Sequence, residues 1–281
     1  MTFKIIHETE YEFSHEIFLE PHILRFKPKF TPYNNTLKHA LIISPNPIGI
    51  KEQLDGENNL VHFCWFEGLH KNLIIKSESL VNAQTQLPFD FIIQPDTYAH
   101  VPFTYSNSLL EILAPALHKE PISQGLIAFG KEILKECNAQ TIAFISKLTY
   151  AIQRTFSVIF REFGAPHHPN KTFLLKEASC RDLAWMQIQL LRNMGFAARF
   201  VSGYFFIAAE DPNYELHAWV EVYLPGAGWV GLDPSNGIVT GQSHIPIATS
   251  VNFKNTMPVT GTIRGDANSK LTTNLSIEIV N

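Results

Sequence analysis

Cysteine is scarce: Cys64, Cys137 and Cys180 are the only three in 281 residues. They are widely spaced, odd in number and form no CxxC pair, which argues against a disulfide framework or a zinc site. A reducing compartment, the cytoplasm, is expected. Long apolar runs are missing too. No window approaches the roughly 20 unbroken apolar residues that span a bilayer, and Met1 to His7 alternates apolar and polar residues where a signal peptide would carry an apolar block. Neither export nor membrane insertion is expected. Basic clusters are absent: Lys and Arg number 22 against 26 Asp and Glu, for a formal net charge of -4, and no stretch concentrates the positive charge that a phosphate backbone requires. Nucleic acid is thereby set aside as a partner. Repeats and low-complexity tracts are also lacking.

What is present describes a packed protein. Hydrophobic residues make up 45% and charged residues 17%, far from the composition of disordered chains, and the length accommodates two modest domains. From Phe3 to about Ala83 the pattern is short period-two runs, such as Leu37, His39, Leu41 and Ile43, separated by turn clusters at Pro45 to Pro47 and Asp55 to Asn59. An antiparallel β domain follows. Proline recurs at Pro88, Pro95, Pro102 and Pro115, and a linker is placed there, giving an N-terminal unit over residues 1–115.

Period 3.6 then takes over. Leu126 to Leu134 and Ile142 to Phe156 predict two amphipathic helices, and Cys180 to Met194, apolar on most sides and stopped by Gly195, predicts a central buried one. Strands are expected near Arg199 to Ile207, His217 to Leu224 and Trp229 to Leu232. These elements define a core over residues 116–250. Residues 251–281 form a C-terminal extension ending in a strand, with Leu275, Ile277 and Ile279 on one face.

A cysteine attacks acyl groups as the thiolate, which the first turn of a helix favours through its free amides and dipole. Cys180 sits at such a start. Nucleophilic catalysis also requires a base and a group that orients it. His217, opening one strand, and Asp233, ending the next, are the candidates, since the short turn Pro225 to Gly228 makes the two strands neighbours. Pleat parity then sets a condition: Tyr223 must pair with Trp229, around a five-residue loop from Leu224 to Gly228 or an equivalent bulged turn with Gly228 left-handed, for His217 and Asp233 to share a face. Taken singly each residue has a bland reading: an inert buried thiol, a structural histidine, a turn aspartate. Cys64 and Cys137 keep that reading. His167 and His168, adjacent on a loop, point apart and form no expected metal pair. Asp182 suits the N-terminus of its helix, Arg181 completes the first turn or meets substrate, and Trp185, Trp219 and Trp229 are core or site walls.

The runs Ser179 Cys180 Arg181 Asp182 Leu183 Ala184 Trp185, Ala197 Ala198 Arg199 Phe200 Val201 Ser202 Gly203 Tyr204, Leu216 His217 Ala218 Trp219 Val220 Glu221 Val222 Tyr223 and Gly228 Trp229 Val230 Gly231 Leu232 Asp233 Pro234 resemble bacterial transglutaminase-like proteins. The region before Pro88 is similar to the N-terminal domain of those proteins. This resemblance implies an α+β fold with a papain-like, transglutaminase-like core, and assigns the catalytic triad to Cys180, His217 and Asp233. It implies a peptide or protein substrate and no cofactor or metal. Ala178 stands where the family often has Gly, and Ser235 where it often has Thr. Animal transglutaminases stabilise the oxyanion with an upstream Trp; no Trp lies between Trp65 and Trp185, leaving the Cys180 backbone N–H as the candidate donor. The expected activity is thiol-dependent hydrolysis of an amide or peptide bond. Crosslinking or ligation of peptides and a non-catalytic peptide-binding module are the alternatives.

Overall fold

The structure, a computed structural model, describes residues 1–85, 87–161, 164–210, 212 and 214–280. The first part is all strand: β1 (Thr2–Leu19), β2 (His22–Leu24), β3 (Asn34–Ser44), β4 (Gly49–Leu54), β5 (Leu60–Trp65) and β6 (His70–Ala83). Helices α1 (Asn107–Leu117), α2 (Gln124–Glu136) and α3 (Thr141–Thr155) follow. Next come the short β7 (Ser157–Val158), α4 (Pro169–Leu175), the short β8 (Glu177–Ala178) and α5 (Cys180–Asn193). The chain then runs through β9 (Ala198–Phe205), β10 (His217–Leu224), β11 (Gly228–Asp233), β12 (Ile238–Val239) and β13 (His244–Ser250). It ends on β14 (Val259–Thr260), β15 (Ile263–Arg264) and β16 (Ser269–Val280).

The α+β architecture is the expected one. An antiparallel sheet ordered β15-β1-β6-β3, with β16 also paired to β1, and a second sheet ordered β14-β2-β5-β4 form the N-terminal part. Period two is visible in burial: Phe3 and Ile5 of β1 are inside, as are Leu73, Ile75 and Val81 of β6. The last segment is no appendage. Strand β16 runs antiparallel to β1 from Thr2 opposite Val280 to Phe13 opposite Ser269, so the two ends of the chain complete one sheet.

Two stretches expected to be irregular are helical. The proline-rich linker contains α1, which tolerates Pro115 because it falls in the last turn, and which is held by burial of Leu113 and Ala116 near Tyr98, Tyr105 and Ala197. The loop before Cys180 contains α4, started by Pro169 at its first position with the His168 ring accepting from the Asn170 N–H.

The core sheet is antiparallel, ordered β12-β11-β10-β9-β13. Helix α5 lies on it, buried along nearly its whole length, with Leu183, Met186, Leu190 and Leu191 packed against Phe200, Val220, Val222 and Leu232. Two of its buried polar side chains reach partners outside the helix. Gln187 donates to Thr149, and Arg192 donates to the carbonyls of Ala198, His118 and Val251. Gly195 ends the helix in the left-handed conformation, φ 93°.

Candidate active site

Local chemistry fixes where Cys180 sits. It is the first residue of α5, and the helix start is clamped by Asp182, which is fully buried. The backbone N–H and the hydroxyl of Ser179 both donate to Asp182 Oδ2, at 2.9 and 2.6 Å. Its Oδ1 accepts from Arg161 at 2.7 Å and from the His167 N–H at 2.6 Å, tying the preceding loop to the helix. Burial alone would raise the Asp182 pKa, but the Ser179 and His167 hydrogen bonds and Arg161 outweigh it and hold the pKa below the usual carboxylate range. Arg181 donates to the Arg161 carbonyl, a second tie across the same loop. His167 contacts Lys171 and lies 4.0 Å from Asp182, while His168 caps α4, so the two histidines serve separate local contacts.

His217 and Asp233 are brought together by strand register. Tyr223 pairs with Trp229, Val222 with Val230 and Val220 with Leu232, which is the parity that the shared face requires. Leu224 also pairs with Gly228, so the pairing runs one step further than expected and the five-residue loop shrinks to Pro225 to Ala227, with Gly226 and Gly228 left-handed at φ 93° and 78°. Asp233 therefore points along the face of His217, and His217 Nε2 lies 2.8 Å from Asp233 Oδ2. Cys180 lines the same cleft as His217 and acts electrostatically on its imidazole. With Nε2 engaged by the carboxylate, Nδ1 is the nitrogen left for sulfur. His217 and Asp233 thus form one hydrogen-bonded pair, and Cys180 shares their cleft.

Electrostatics follows from that contact. Burial disfavours the His217 imidazolium, yet Asp233, with a smaller contribution from Cys180, pushes its pKa up to about 10. Asp233, fully buried, would be raised by burial, but His217 and His244 hold it far below the usual carboxylate range.

His244, at the start of β13, was not legible as part of the site. Its Nε2 lies 3.1 Å from Asp233 Oδ2. The ligand atoms of His217, Asp233 and His244 fall within 4.8 Å of one another, close enough to suggest a metal site. The hydrogen bonds argue otherwise. His244 Nδ1 accepts the Gly241 N–H at 3.3 Å, which puts its ring proton on Nε2, facing the carboxylate. A metal would have to displace that proton and the one His217 shares with the same oxygen.

Cys180 and His217 open onto a cleft of about 590 Å³. One wall belongs to the core, with Ile159, Phe160 and Leu216; the other is the N-terminal sheet, with His7, Thr9 and Tyr11 of β1 and Leu271, Thr273 and Leu275 of β16. That wall could have been suspected only from the alternation of β1 and β16, which says which residues share a face but not what the face meets. His7 is fully enclosed there, its Nδ1 3.2 Å from the Tyr204 hydroxyl, and burial lowers its pKa to about 4. Cys64 and Cys137 are buried outside the cleft and, like Cys180, are free thiols. Burial pushes the Cys64 thiol up to about 11.

Comparison with known proteins agrees with this anatomy. Residues 3–82 match the bacterial transglutaminase-like N-terminal region, and residues 127–234 match the core of the transglutaminase-like superfamily. An uncharacterized protein of Mycobacterium tuberculosis is 23% identical over 294 residues, covering 99% of this chain and 92% of that one. A Mycobacterium leprae relative, also 23% identical, covers 93% of each chain. Among solved structures, a proposed cysteine protease from Cytophaga hutchinsonii superposes with a TM-score of 0.72 at 20% identity, over 100% of this chain and 92% of its own, which speaks for the fold. No helix among the described residues is long and apolar enough to cross a membrane. With both of its regions matched and its architecture shared, the chain belongs to the transglutaminase-like superfamily and carries the bacterial N-terminal region ahead of the core.

Proposed function

We propose that this protein is a thiol-dependent acyl-transfer enzyme that hydrolyses an amide or peptide bond through Cys180, His217 and Asp233. The observation that carries the reading is a helix-start thiol on the same cleft as His217, whose ring lies 2.8 Å from a buried carboxylate. Superfamily membership, and likeness to a structure named as a proposed cysteine protease, support it. In this mechanism sulfur attacks the carbonyl carbon, and a new S–C bond forms as the negative charge moves to oxygen. The N–H of Cys180, which as the first helical residue has no intrahelical acceptor, is available to that oxyanion. His217 gives its proton to the leaving amine, the C–N bond breaks, and a thioester remains. Water then attacks the thioester with His217 as base, releasing the acid and restoring the thiol. Asp233 stabilises the imidazolium in both steps and keeps Nδ1 toward sulfur.

The cleft fits a peptide segment, with apolar walls on both sides of the thiol and Arg181 and Glu215 at its polar part. Digestion of a peptide library by wild type and by Cys180→Ala tests the reading. Cleavage products that disappear in the variant are expected; identical product sets would overturn it. Repeating the digestion with a dilute primary amine separates hydrolysis from crosslinking, because a transferase gives amine adducts and a hydrolase gives free acids.

A further inference from the structure

We propose that His244 is a positioning residue for this triad, holding by a fixed neutral donor the same carboxylate oxygen that serves His217. The inference rests on the triad reading above and extends it to a fourth side chain. Asp233 Oδ2 accepts from His217 at 2.8 Å, from Asn236 Nδ2 at 2.7 Å and from His244 at 3.1 Å, while Oδ1 accepts the N–H groups of Ser235 and Asn236. Three of these donors belong to the turn that Asp233 itself begins, so they would move with it. Among the described residues, His244 is the one donor that reaches Asp233 from neither that turn nor β10. It comes from β13, at the other edge of the core sheet, and so ties the turn after β11 to the frame.

The ring is placed for that task. Its side chain is only 3% exposed, and its centroid lies 4.5 Å from that of Phe205 and 5.3 Å from that of Trp219. Its backbone N–H donates to the Gly241 carbonyl while its Nδ1 accepts the Gly241 N–H, so the same residue fixes both the turn and the tautomer. Burial lowers the His244 pKa against the pull of Asp233, and the neighbouring His217 lowers it further. The ring therefore stays neutral, orienting the carboxylate without cancelling the charge that His217 needs.

The test uses the full-length protein and needs no substrate. The rate of Cys180 alkylation by iodoacetamide near pH 6 is measured for wild type, His217→Ala, His244→Leu and His244→Gln, with melting curves alongside. His244→Leu, which packs but cannot donate, is expected to slow alkylation about tenfold or more, and His244→Gln, which keeps an N–H donor, to recover most of the rate. A wild-type rate in His244→Leu, or equal slowing in both His244 variants, would overturn the positioning role. Slow alkylation in His217→Ala alongside either result leaves the triad standing; a wild-type rate in His217→Ala would remove the triad, and this proposal with it. Nitrogen NMR of the wild type gives an answer even if His244→Leu does not fold. His244 must carry its proton on Nε2, and a proton on Nδ1 would overturn the proposal.

Discussion

Asp233→Asn puts the most strain on this account, because an amide cannot satisfy the donors that surround it. With its nitrogen at the Oδ2 position, the amide would aim N–H groups at His217, Asn236 and His244; with the nitrogen at Oδ1, it would face the N–H groups of Ser235 and Asn236 at 3.0 and 3.2 Å. The second orientation is the milder, yet it leaves two buried donors unpaired at roughly 1–3 kcal/mol each and removes the partner of a buried imidazolium. The expected loss of stability is about 3–5 kcal/mol, the range for removing one member of a buried pair. For a chain of this size that lowers the melting midpoint by roughly 5–8 °C. Function should suffer independently. Without the carboxylate, burial of His217 is opposed only by the smaller contribution of Cys180, and its pKa falls from the raised value of about 10. Cys180 loses its charged partner, and alkylation near pH 6, like turnover of any substrate found, should fall by about 10²–10⁴-fold. Calorimetry and iodoacetamide kinetics on one preparation check both numbers. A variant melting within about 2 °C of wild type and alkylating at the wild-type rate would show that Asp233 is a turn residue and nothing more.

Further outcomes follow from the same geometry. In the native protein brief alkylation near neutral pH should label Cys180 alone, as read by peptide mass mapping, because Cys64 is enclosed with its thiol pushed up to about 11 and Cys137 is buried; Cys64→Ala and Cys137→Ala should leave the Cys180 rate unchanged. Gly228→Ala should lower stability by only about 1–2 kcal/mol in urea unfolding, since it introduces a left-handed side chain into open space. Gly203→Ala should do far more damage, because its new methyl group would collide with the Ile245 carbonyl and the Trp219 ring beside His217 and His244. The contribution of the His217–Asp233 pair to stability should be complete below the unfolded histidine pKa of about 6.5 and be lost as pH rises through about 10, since the folded pKa of His217 is raised. Asp233→Asn should remove that alkaline limb from the curve of unfolding free energy against pH.

The sequence by itself determined most of what is local. Helix α5 and its stop at Gly195 follow from an apolar 3.6-residue pattern ending at a residue free to turn left-handed. The pairing of β10 with β11 follows from parity: one register matches apolar to apolar residues across the glycine-bearing turn, and that register carries Asp233 to the face of His217. Cys180, His217 and Asp233 could be nominated from the sequence because acyl-transfer chemistry asks for those residue types at a helix start and on neighbouring strands, and because the runs around them resemble transglutaminase-like proteins. Helices α1 and α4 were not, since proline at 115 and 169 signals a break in isolation, and only packing of Leu113 and Ala116, or the fit of Pro169 at a first helical turn, reverses it. Tertiary structure alone decided the rest. A buried histidine far along the chain looks like any core polar residue until β13 lies beside β9 and brings His244 to Asp233. Likewise β16 looks like a loose C-terminal strand until it pairs with β1, Thr2 opposite Val280 and Phe13 opposite Ser269, and the joint face of these two strands becomes a wall of the cleft. Pattern along a chain says which face of a strand is buried; what that face meets depends on contacts between distant segments, and those exist only once the whole chain has closed.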